Sequence, residues 1–114
     1  MTFDVINNPA FLAKAGFTNN QFKKLDGLYL QASSVKALTY RSVECDFDEG
    51  VACYTYYKSE GQAPYLQFII RKVGPRTMMY EVFMQDKGRI KKSGVFDIAY
   101  EKLKEEVEKL LPSA

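Results

Sequence analysis

Apolar positions along the chain change period twice, from helical to alternating near Lys36 and back to helical near Asp97. The first helical signal is NNPAFLAKAG, with Asn8 placed to cap, Pro9 at the first helical position and Gly16 at a left-handed stop. A second helix is announced more strongly. Thr18 with Gln21 three residues on makes a capping box, and Phe17 with Phe22 occupies the positions of a hydrophobic staple. Phe22, Leu25, Tyr29 and Ala32 then recur on one helical face. Gly27 interrupts this run and weakens it by about 1 kcal/mol relative to Ala, marking a kink or a close approach.

From Lys36 the period is two. Val43, Cys45 and Phe47 alternate with Ser42, Glu44 and Asp46, and VACYTYYK follows after Asp48–Gly50. A three-residue loop there sets Cys45 opposite Cys53; strained geometry and a reducing compartment favour two thiols over a disulfide. KSEGQAP is a polar connection to PYLQFIIRK and TMMYEVFMQ. With the turn centred on Pro75, Leu66, Phe68 and Ile70 face Met84, Val82 and Tyr80, whereas a slip of one sets Ile70 against Glu81. A Gly-closed turn leads to a fifth strand, RIKKSGVF. The last element, residues 97–111, is a helix capped by Asp97, with Ala99, Leu103, Val107 and Leu110 as its apolar stripe and Pro112 as its stop. Its outer charges form a solvated surface.

These elements predict one α+β domain over residues 1–114. Two N-terminal helices (1–34) precede a five-stranded, mainly antiparallel meander (36–96), and one long C-terminal helix packs on the sheet. The hydrophobic fraction of 46% supplies a core and argues against disorder. No apolar run spans a membrane and the N-terminus lacks the pattern of a signal peptide, so the expected location is the cytoplasm.

The chain has no histidine, which excludes His-based triads, His general bases and His metal ligands. The acidic cluster Glu44, Asp46, Asp48 and Glu49 lacks calcium-loop spacing and reads as an ordinary exposed turn. Lone glycines make no phosphate-cradling loop, and Ser33, Ser34 and Lys36 make no catalytic pair. No cofactor and no metal are expected, and the chain reads as a binding domain rather than an enzyme.

What remains is the second face of the sheet. Alternation assigns it Tyr65, Ile69, Arg71, Met79 and Phe83, with Arg89 and Lys91 as a basic margin and Gln67, Glu81 and Gln85 between. If Val43, Cys45 and Phe47 point inward, Tyr40, Tyr54, Tyr56 and Lys58 join it. One reading makes this face a second core layer under the N-terminal helices. A second makes it a protein-binding or homodimer surface, since exposed aromatic and methionine patches bury themselves on partners. A third has single-stranded nucleic acid stack on its rings while cations track phosphates. A meander followed by one long helix resembles, in architecture alone, sheet-based single-strand binders. A small apolar ligand held between sheet and helices is a further alternative. Protein binding leads, because the net charge is only +2 and Glu81 sits in the middle of the face.

Overall fold

The computed structural model describes residues 2–4, 17–46 and 48–112. One antiparallel sheet runs in sequence order: β1 (Thr2–Asp4), β2 (Tyr40–Asp46), β3 (Val51–Tyr57), β4 (Leu66–Gly74), β5 (Thr77–Met84) and β6 (Gly88–Ser93). Helix α1 (Asn19–Ser34) precedes β2, and helix α2 (Phe96–Glu108) follows β6. The architecture is therefore α+β with an antiparallel meander. The sheet gains a sixth strand, because the three residues of β1 are too few to show alternation. The first expected helix, Asn8 to Gly16, lies outside the described residues.

Helix α1 starts where its signals place it. The Thr18 hydroxyl accepts from the Gln21 amide at 3.0 Å, and the Gln21 side chain accepts from the Thr18 amide at 3.1 Å. Phe17 is buried ahead of the cap. Gly27 is not a close approach, because a Cβ added there would meet nothing within 4 Å. Helix α2 begins one residue before the expected cap. Val95 is its N-cap and Asp97 lies in the first turn, where a carboxylate favours the helix dipole.

Both helices lie on the same side of the sheet. Tyr56 donates its hydroxyl proton to the Leu25 carbonyl at 2.7 Å, and Tyr54 donates to the Asp26 carboxylate at 2.6 Å. Arg41 also donates to Asp26 while its guanidinium stacks over the Tyr29 ring at 4.8 Å. Phe96 of α2 packs on Phe68 of β4, with ring centroids 5.3 Å apart. Lys24 and Asp97 pair across the two helices at 3.3 Å. Leu25, Leu28 and Ala32 from α1 and Ala99, Leu103 and Val107 from α2 close over Val43, Tyr54, Tyr56, Phe68, Ile70 and Val82.

The β4–β5 register is the one the apolar pattern predicts: Leu66 pairs with Met84, Phe68 with Val82 and Ile70 with Tyr80. The β2–β3 register differs by one. Cys45 pairs with Ala52 and Glu44 with Cys53, so the connection from Asp46 to Val51 holds four residues, not three. The Asp46 carboxylate fixes this turn by accepting from the amides of Asp48 and Glu49, each at 3.1 Å, and Gly50 closes it with φ +66°. Burial of Val43 and Cys45 then carries Tyr54 and Tyr56 into the core with them. The two cysteines are thiols on opposite faces of the sheet.

Strand β6 also departs from the expected phase. Phe83 pairs with Arg89 but Val82 pairs with Lys91, so one extra residue is accommodated between them. Ile90 packs against the core, which is the gain that the irregularity secures. The strand ends at Ser93, and Phe96 belongs to α2.

Candidate interaction face

Opposite the helices, the sheet presents four rows of side chains set by strand pairing, the first made by Tyr40 and Tyr57, whose ring centroids lie 5.3 Å apart. Ser42, Thr55, Gln67, Phe83 and Arg89 form the second row; Glu44, Cys53, Ile69, Glu81 and Lys92 form the third. Asp46, Val51, Arg71 and Met79 make the fourth. Neither described helix covers this side. Its centre (Cys53, Ile69, Phe83 and Met79) is half-buried, while Glu44 on β2, next to the edge strand β1, and Arg89 and Lys92 on the edge strand β6 are exposed.

Six of the nine residues assigned from sequence meet here. Ile69, Arg71, Met79, Phe83 and Arg89 share the face, and Tyr65 borders a shallow notch with Gln67 and Phe83. Lys58 lies over the Tyr65 ring at 4.5 Å. Three are elsewhere. Tyr54 and Tyr56 are fully buried under α1, as the four-residue turn requires, and Lys91 emerges on the α2 side because of the irregularity in β6. The reading that α1 covers this face as a second core layer is corrected as well, since α1 packs on the other side. Sequence reasoning missed Tyr57, Cys53 and Lys92. A signal for β3 was present: its two alternating sets are Val51, Cys53, Thr55, Tyr57 and Ala52, Tyr54, Tyr56, and only the first contains a residue (Thr55) suited to a wet face.

The electrostatic centre is Glu81. It is 5% exposed and accepts from Arg71 Nε at 3.0 Å and from Arg89 Nη1 at 2.9 Å. Burial pushes its carboxyl upward, and the hydrogen bonds from Arg89 and Arg71 more than reverse that, so it sits below its ordinary value. Both guanidiniums stay nearly half exposed. They are held in fixed positions, with part of their charge neutralised.

The Cys53 thiol is pushed up by burial, although contacts with Thr55 at 3.2 Å and Gln67 at 3.7 Å oppose the shift, so it is a poor nucleophile. No group of three potential metal ligands occurs among the described residues. The carboxylate of Asp46 shapes its turn, and its pKa is lowered chiefly by the Glu49 amide. No described helix is long and apolar enough to cross a membrane. Comparison with protein-family models, with curated proteins and with solved structures finds no match to this chain.

Proposed function

We propose that the protein works by protein binding through the open sheet face, and that the occupant is a second copy of the same chain. The observation that carries this is the charge layout of the third row. Glu44 lies on β2, next to the edge strand β1, Lys92 lies on the edge strand β6, and Cys53, Ile69 and Glu81 lie between. A two-fold axis running along β4 sets β2 of one copy over β6 of the other. Glu44 then meets Lys92, Cys53 meets Glu81, whose carboxylate Arg71 and Arg89 already hold, and Ile69 meets its own equivalent. The strands of the two sheets stay nearly aligned, which is the ordinary way for twisted sheets to stack. An axis across the strands would instead set acid on acid.

Nucleic-acid binding is the second reading, supported by the clustering of Arg71, Arg89 and Lys92 around Phe83. It ranks lower because Glu81 already accepts from both arginines, so fewer charges are left to release counterions from a phosphate backbone. The apolar-ligand reading has the least support, since buried Tyr54, Tyr56 and Phe68 fill the space beneath the helices.

Light scattering across a concentration series tests the proposal. The wild type is expected to be dimeric, Ile69→Asp monomeric, and Glu44→Lys a weaker dimer with unchanged thermal stability of the monomer. A wild type that stays monomeric at all concentrations overturns it. If that monomer binds a labelled single strand in a salt-dependent way, the second reading takes its place.

A further inference from the structure

The outer edge of β6 pairs with nothing among the described residues, because β5 occupies its other side and the sheet order ends there. Such an edge is a row of unsatisfied backbone donors and acceptors, ready to accept another strand. Its side chains decide which strand. Arg89 and Lys92 project on the open face and Lys91 on the helix side, and all three are exposed. Lys91 and Lys92 make no ion pair among the described residues. A second copy of β6 brought alongside would set cation against cation, so the edge repels its own kind. An extended segment with carboxylates at alternate positions meets the opposite field.

The helix side adds a second requirement. Beside the edge, a groove of about 270 Å³ runs between β6 and α2, lined by Lys91, Ile98, Glu101, Lys102, Glu105 and Glu108. Its floor is mixed: acidic side chains outnumber cations, and Ile98 is 48% exposed beside Val95 at 52%. Side chains of an added strand that drop into this groove are favoured when apolar or basic, and disfavoured when acidic. The two sides together specify an alternating pattern, acidic toward Arg89 and Lys92 and apolar toward Ile98.

We propose that β6 takes up an extended, alternately acidic and apolar segment of a partner protein by strand addition, with backbone hydrogen bonds giving affinity and the two flanking fields giving selectivity. The strand adds at the backbone edge of β6 and not on the sheet face proposed to dimerise, although Arg89 and Lys92 border both.

The test uses a fluorescein-labelled Glu-Val repeat about ten residues long, enough to span β6. Anisotropy should show binding, and hydrogen exchange should show new protection confined to the amides of Arg89–Ser93. A peptide of the same charge with proline at alternate positions lacks the donors and should bind about tenfold more weakly or worse. A Lys-Val repeat should not bind, and Lys92→Glu should weaken the Glu-Val peptide while admitting the Lys-Val one. Absence of binding overturns the proposal. Equal binding of the proline peptide, or protection on another strand, also overturns it by reducing the interaction to charge adhesion. Sizing by light scattering is a separate readout, so failure here leaves the dimer reading to stand or fall by itself.

Discussion

Glu81 offers the sharpest test of how the open face is held together, because its cover and its counter-charges are the same two side chains. Truncating Arg71 and Arg89 to alanine removes the charges and also the stems that shield the carboxylate. Water then reaches Glu81, and the loss should be on the scale of an exposed pair, about 1 kcal/mol. Replacing both with methionine keeps apolar stems over the carboxylate while removing the charges. That leaves a shielded, uncompensated anion, for which the expected loss is about 3 kcal/mol, the low end of the range for a broken buried pair because the face has water at its rim. The pH dependence separates the two further. In the wild type the folded pKa lies below the unfolded one, so the network contributes stability above the ordinary glutamate value of about 4.3 and loses it as pH falls through the folded value. In the methionine variant burial acts unopposed and the folded pKa lies above the unfolded one. Its penalty is full above that raised value and is relieved on acidification. The deficit of the methionine variant against the wild type should therefore shrink between pH 7 and about pH 4. Urea denaturation of the three proteins at both pH values measures it. If the deficit is the same at both, or if alanine costs as much as methionine, the network does not hold Glu81 as described.

Two further predictions concern the framework. Gly27→Ala should stabilise the protein by about 0.5–1 kcal/mol, since the helix gains propensity and the added methyl meets open space; a lowered denaturation midpoint would mean that the space is filled. Phe68→Ala should lose about 3–5 kcal/mol, because the ring is fully buried against Phe96, whereas Gln67→Ala on the opposite face should change stability by less than about 1 kcal/mol; denaturation midpoints ranked the other way would reverse the assignment of the two faces.

The parts of the fold legible in the sequence are those where one alternating set is plainly apolar and the other plainly polar. In β4 and β5, a slip of one opposes Ile70 to Glu81, so the pattern settles the register. In β3 it does not. Both sets of VACYTYY can be buried, and the choice falls to the turn, where one carboxylate taking two amides selects four residues over three. Those two local hydrogen bonds move Tyr54 and Tyr56 from the proposed face into the core. Strand β6 fails for a different reason. Its sequence, GRIKKS, holds one apolar residue, and the core's claim on Ile90 shifts the phase of everything after it. Strict alternation has no means of marking an extra residue, so Arg89 and Lys91 were assigned to one side when they lie on two. The buried hydroxyls show what was recoverable. Tyr54 and Tyr56 each need a hydrogen-bond partner when buried, and α1 supplies Asp26 and the Leu25 carbonyl from adjacent positions.

Two features that were ambiguous in the sequence gain distinct physical roles once the edge and the face of the sheet are separated. An exposed sheet edge tends to continue the sheet without limit, and a protein that associates with itself is exposed to that hazard whenever copies come close. The three cations of β6 act against it, since edge-to-edge pairing would bring them together. The open face has no such barrier: Glu44 on β2 and Lys92 on β6 carry opposite charges, and its arginines are tied to Glu81. In the proposed dimer, self-association is thereby steered from the edge to the face. A two-fold contact through the face uses the same patch on both copies and leaves no further patch to propagate. On the two proposals together, the charge on β6 is the reason that the face, and not the edge, is where a second copy belongs, and the same charge is what would make the edge selective for a strand of opposite sign.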